Sequence, residues 1–175
     1  MRAIRNLMPR VLGSCCCVFA AAAAAVAPAA SGPAASAPAD YAAIVLNIEV
    51  DRPADAVWKK VGGFCDIAAW LKLSCVYTSG TGDLGTVRRL AGRIDEVMVA
   101  RTALSYTYAQ PASTIFYHGM LEVVPEGRAH SRIHYTLLYD QAADGSEDAK
   151  ARDRAQRTRL FTQALVTMKK LAEGG

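Results

Sequence analysis

Apolar residues recur at three- and four-residue steps through the last stretch of the chain, Ser146 to about Leu171. Leu160, Phe161, Ala164, Leu165, Met168, Leu171 and Ala172 fall on one stripe, with Arg157, Arg159, Gln163, Lys169 and Lys170 mostly off it. That period predicts one long amphipathic helix. Such a helix would run roughly 39 Å and needs an apolar surface to lie on.

Upstream the period changes to two. Tyr41 to Val50 alternates, with Ile44, Leu46, Ile48 and Val50 on one side, and reads as a strand. Arg52-Pro53 then opens a helix, with Asp55 in its first turn, a buried face of Ala54, Val57, Trp58 and Val61, and Gly62-Gly63 as its stop. A second short helix follows Asp66 through Ile67, Trp70 and Leu71. From Ser74 to Asp140 strand-forming segments alternate with turns, the last being a hairpin of Ile115–Val124 and Arg128–Asp140 around a three-residue loop, Pro125-Glu126-Gly127. If Val124 faces Arg128, then Tyr117 opposes Tyr135, Gly119 opposes Ile133 and Leu121 opposes Ser131 on an apolar face. The other face pairs His118 with His134, Met120 with Arg132 and Glu122 with His130, and looks outward.

The beginning of the chain does not fit this pattern. Arg2, Arg5 and Arg10 precede an uncharged apolar run from Val11 to Val26, then a small-residue segment ending in Ala37-Pro38-Ala39. Residues 1–39 are expected to be a secretory signal peptide with a low-complexity Ala/Pro segment, and residues 40–175 one domain, exported to the periplasm or secreted. No stable membrane span is expected once the signal is removed. A composition of 52% hydrophobic and 21% charged residues suits a single compact core. Without the three arginines of residues 1–39, the 20 basic residues fall to 17 against 16 acidic ones, a balance that gives no reason to expect nucleic acid as a partner. Cys15, Cys16 and Cys17 leave with the signal; Cys65 and Cys75 remain, either paired in an oxidising compartment or as two buried thiols.

Candidate chemistry is sparse. Gly80-Thr81-Gly82-Asp83-Leu84-Gly85 has the letters of a dinucleotide loop, but the strand-forming Thr86–Leu90 follows where a helix is required, so it reads as a hairpin turn. His130 and His134 would stand roughly 13 Å apart on a strand, and His118 with His134 would need two further ligands on an exposed face, so no metal is expected. No cofactor motif and no nucleophile with an adjacent base occur, and no catalytic residue is assigned. The inner face does carry tyrosines: Tyr106, Tyr108, Tyr117, Tyr135 and Tyr139. Any one of them suits core packing, but several inward hydroxyls together favour a cavity. Arg88 points inward if Leu90 does, with Glu96 its nearest partner, or else it sits at the sheet rim.

The order of elements, together with Ala-Asp-Ala-Val-Trp (54–58), Gly-Thr-Val-Arg-Arg-Leu (85–90), Leu-Ser-Tyr-Thr-Tyr (104–108) and Ser-Arg-Ile-His-Tyr (131–135), resembles the START-like, Bet v 1-like superfamily. The likeness is greatest to its polyketide cyclase/dehydrase and lipid-transport branch, which includes bacterial relatives of the abscisic-acid receptors. The resemblance implies an α+β helix-grip fold, a seven-stranded antiparallel sheet wrapped around the C-terminal helix with a hydrophobic cavity between them. It assigns ligand-facing positions to Arg88, Leu90, Glu96, Tyr106, Tyr108, Tyr117, Tyr135, Phe161 and Leu165. The sequence departs from the receptors in a shorter gate between Leu90 and Ile94, in Ala69 or Trp70 where they carry a lysine, and in Ala109-Gln110-Pro111 at the latch, so abscisic acid is not the expected ligand. The expected function is carriage or sensing of a small hydrophobic or amphipathic molecule. The alternatives are a cyclase or dehydratase using a tyrosine or Glu96, and a ligand-free interaction module.

Overall fold

The computed structural model describes residues 38–174; the expected signal peptide therefore lies outside the described residues, save for its last two positions. Strand β1 (Tyr41–Val50) is followed by helices α1 (Ala54–Val61) and α2 (Ile67–Leu71). Strands β2 (Cys75–Ser79), β3 (Val87–Leu90), β4 (Ile94–Arg101), β5 (Ser105–Ala109), β6 (His118–Pro125) and β7 (Ser131–Asp140) come next, and the long helix α3 (Glu147–Glu173) ends the fold. The strands form one antiparallel sheet in the order β1-β7-β6-β5-β4-β3-β2. This is the helix-grip architecture expected from the sequence.

Local chemistry explains the boundaries of α3. Ser146 Oγ accepts from the Ala149 N–H at 3.2 Å, Glu147 and Asp148 sit in the positive first turn, and Gly174 at φ 90° closes the far end with its N–H on the Lys170 carbonyl. The predicted stripe is the buried one: Phe161, Ala164, Leu165, Met168 and Ala172 are covered, whereas Leu160 is 52% exposed. They meet the inner face of the sheet, where Val50, Leu121, Ile133 and Leu137 are fully buried, and the inner side of α1 at Val57 and Val61.

One expectation is corrected. In the β6–β7 hairpin, Leu121 faces Tyr135, Gly119 faces Leu137 and Val123 faces Ile133, with Glu122 opposite His134 and His118 opposite Leu138. Pro125 pairs with Ser131, so the loop runs from Glu126 to His130, closed by the Glu126 N–H on the His130 carbonyl at 2.9 Å, and is longer than a three-residue turn. Tyr135 thus meets Leu121 in place of Tyr117, a slip of four positions along β6. An even slip keeps every side chain on its face, which is why the inward and outward sets survive a wrong register. It also separates His118 from His134, and among the described residues no group of three or more His, Cys, Asp or Glu side chains is placed to hold a metal ion.

Of the two readings left open for the thiols, the structure has the bridge. Cys65 and Cys75 form a disulfide, with their Cα atoms 5.6 Å apart, tying the segment before α2 to the start of β2. The helix between them is only five residues long, so the chain returns to its starting point instead of carrying the second cysteine away. No helix of the described residues is long and apolar enough to cross a membrane.

Candidate functional site

The site begins with the alternation of β3 and β4. Leu90 and Arg88 both face inward, and Arg88 stands directly across the ladder from Glu96. Arg88 is fully buried: its Nε donates to Glu96 Oε2 at 2.7 Å, Nη2 lies 2.6 Å from the same oxygen, and Nη1 donates to the Phe64 carbonyl. Its guanidinium carbon lies 4.0 Å from the centre of the Phe64 ring and 4.9 Å from that of Tyr108, so aromatic faces supply much of the solvation that water would have given. The other Glu96 oxygen accepts from Gln110 Nε2 at 2.8 Å.

Beside this pair a cavity of about 380 Å³ separates α3 from the sheet. Leu90, Ala91, Ile94 and Glu96 form one wall, from β3, β4 and the turn between them. Tyr108, Gln110, Ile115 and Tyr117 come from β5 and the segment leading into β6. Ile67, Leu71 and Leu73 close a third side, and Arg157, Leu160 and Phe161 present one turn of α3 to the space. The lining is mainly apolar, and among the described residues its only charged members are Glu96 and Arg157. The exposed Leu160 and Ala91 mark the mouth.

Five of the nine positions expected to face a ligand border this cavity: Leu90, Glu96, Tyr108, Tyr117 and Phe161. The other four lie behind it. Arg88 supports Glu96 from below; Tyr106 is sealed by Phe64 and Trp58, with ring centres 5.3 and 5.9 Å away. Tyr135 is fully buried between Trp70 and Phe161, its hydroxyl 2.8 Å from that of Tyr108, and Leu165 belongs to the closed core. The Tyr106 hydroxyl makes no hydrogen bond among the described residues. All four keep the inward orientation; what covers them there is set by Phe64, Trp58, Trp70 and α3, which neither a periodic pattern nor a family resemblance specifies.

Burial governs the ionisation of these tyrosines. It pushes the Tyr117 phenol up to about 12, with the Glu96 charge adding to the effect, and holds Tyr108 and Tyr135 well above the ordinary range. All three therefore stay protonated at neutral pH and act as neutral donors. Sequence reasoning missed Gln110, Arg157 and the α2 wall. The period of two that places Tyr106 and Tyr108 inward continues to Gln110, and Arg157 stands three and four residues before Leu160 and Phe161 on α3, so both signals were present.

Residues 41–173 match the family described as polyketide cyclase / dehydrase and lipid transport. The chain belongs to that family. Among solved structures, this family member is similar to a protein from Nitrosospira multiformis at 22% identity and TM-score 0.56, covering 73% of this chain and 96% of that one. A Thermobifida fusca protein aligns at 22% identity and TM-score 0.60 over 74% and 92% of the two chains. The Zhui aromatase/cyclase of Streptomyces sp. R1128 aligns at 17% identity and TM-score 0.60, covering 77% and 94%. At these identities the likeness shows the fold alone. No curated protein matches the chain.

Proposed function

We propose that this family member binds a small, mainly hydrophobic molecule in the cavity between α3 and the sheet, as a carrier or sensor. The observation that carries the reading is the cavity itself: about 380 Å³ of space beside a buried core, lined by apolar side chains with a few polar groups. That size and lining are those of small-molecule sites, where apolar burial supplies affinity and a few polar groups fix orientation. Family membership supports it, since lipid transport and polyketide processing both require an enclosed apolar space.

Catalysis is the second reading, and one observation favours it: Glu96, Tyr108 and Tyr117 share one cavity. The environment suits holding better than proton transfer. Glu96 has both oxygens engaged by donors, and burial makes the tyrosines weaker acids. Turnover of a polyketide-like substrate that disappears in Glu96→Gln would move the reading to an enzyme. We also place the protein in an oxidising compartment, periplasmic or secreted; the Cys65–Cys75 bridge supports that placement together with the leader-like residues 1–39. Mass measurement of the protein from the periplasm should give a chain starting at about Asp40.

Binding is tested by native mass spectrometry and thermal shift of the purified protein with fatty acids, sterols and bicyclic aromatic acids. Retained adducts or a rise in Tm with at least one class are expected. Leu160→Trp, at the mouth, should reduce that response while leaving the free protein's Tm nearly unchanged. A protein that carries no adduct and gains no stability from any member of the panel would overturn the reading.

A further inference from the structure

Resting on the reading that the cavity binds a ligand, we propose that its ligand carries an acidic oxygen at one end, a carboxylate or an equivalent anion, which Arg157 receives. Among the described residues Arg157 is the single cation of the lining, and three contacts fix its guanidinium in place. Its Nε donates to both oxygens of Asp153, at 3.0 and 2.8 Å, one helical turn earlier on α3. The guanidinium carbon lies 4.3 Å from the Tyr139 ring centre and 5.5 Å from that of Tyr117, so two aromatic rings set the plane of the group. Its Nη1 and Nη2 donate no hydrogen bond among the described residues, although the side chain is only 26% exposed.

A guanidinium held by its Nε edge presents the remaining N–H groups as a preorganised fork. The acceptor that matches such a fork is a planar pair of oxygens. The far wall sets the opposite condition. Glu96 faces the same space with a negative charge, and its oxygens already accept from Arg88 and Gln110, so an anionic group gains at Arg157 and loses near Glu96. The ligand is therefore oriented, with its acid toward α3 and its hydrocarbon body against Leu71, Leu73 and Leu90. The neutral Tyr117 hydroxyl, close to Arg157, is available as a further donor to the same oxygens.

Two matched pairs of probes test this: 2-naphthoic acid with its methyl ester, and decanoic acid with decanol, each titrated calorimetrically into the protein and its variants. In the unaltered protein the acid of at least one pair should bind about tenfold or more tighter than its neutral partner, the worth of a hydrogen bond to a charged group. Arg157→Gln should erase that preference while leaving the neutral partner's affinity within about twofold, since the apolar walls are untouched. Arg157→Lys should restore part of it, because lysine keeps the charge without the fork, and serves in place of Arg157→Gln if the latter does not fold. Asp153→Asn should widen the preference by leaving Arg157 without its neutralising partner. Equal affinity for acid and neutral probe, or a preference that survives both Arg157 variants, overturns the inference while leaving the binding reading intact. If neither pair nor any member of the wider panel binds, the binding reading itself falls and the inference falls with it.

Discussion

Two sets of side chains share the inner face of one sheet and live in different surroundings. Arg88, Tyr106 and Tyr135 lie where Phe64, Trp58, Trp70 and α3 close over the strands; Glu96, Tyr108 and Tyr117, on β4, β5 and the segment entering β6, lie where the covering stops. Alternation along the strands is the same for both. The difference is in the lid, and the lid comes from chain distant in sequence. A second contrast concerns the backbone: of the three non-glycine residues with left-handed backbone among the described residues, Lys72 (φ 54°), Ala91 (φ 48°) and Phe116 (φ 50°), one borders the cavity and two adjoin residues that do. Lys72 lies between Leu71 and Leu73, Phe116 between Ile115 and Tyr117, and Ala91 borders the space itself. Ala91 is thus the place among the described residues where left-handed backbone and the cavity lining coincide, as sites held by the fold around them often show.

The largest effect should come from the closed half. Arg88→Met leaves Glu96 buried without its cation and removes the donor to the Phe64 carbonyl, and should cost about 3 to 5 kcal/mol in urea unfolding. Arg88→Met combined with Glu96→Leu should recover most of that loss, because no charge is then stranded. A single variant costing less than 1 kcal/mol would mean that the pair is hydrated and that the two halves do not differ as described.

Next comes the staple that joins the halves. The bridge closes the loop from Cys65 to Cys75, and within that loop lie Ile67, Leu71 and Leu73, one wall of the cavity. Replacing both cysteines by serine should lower stability by about 3 kcal/mol, the chain-entropy value for a loop of this length. Because the loop also forms that wall, ligand-induced stabilisation should fall further than global stability does. Equal losses in both would show that the wall is held by Ile67 and Trp70 packing alone.

What could be read beforehand follows the same division. The α3 stripe and the in-or-out assignment of β1, β3 and β7 rest on local periodicity, and local periodicity is written residue by residue. Glu96 could be read as the nearest partner of an inward Arg88, but the sheet rim stayed open as the alternative; the short turn after Leu90 sets the register in which the two positions meet. The β6–β7 register was not legible, because glycine at 127 permits both a three- and a five-residue loop, and Pro125 proved to extend the strand. Nor could periodicity show that Tyr106 and Tyr135 are packed behind the cavity while the equally buried Tyr108 borders it. That depends on where Phe64 and Trp70 settle, and the disulfide that places them joins two residues whose spacing alone left pairing undecided.

The smallest effect probes the strain directly. Ala91 and Gly92 make the tight β3–β4 turn, with the Arg93 N–H on the Leu90 carbonyl at 3.0 Å, and both carry positive φ. A left-handed conformation costs an L-residue about 1 to 2 kcal/mol, and glycine returns about 0.5 to 1 of that in added unfolded-state entropy, so Ala91→Gly should stabilise the protein by about 0.5 to 1 kcal/mol. The same substitution frees the turn at the cavity mouth, so the gain in stability should come with weaker ligand binding. If Ala91→Gly destabilises the protein instead, the turn is not under strain and the second contrast is lost. If it stabilises without touching affinity, the strain is real but does not shape the site, and the lid alone distinguishes cavity from core.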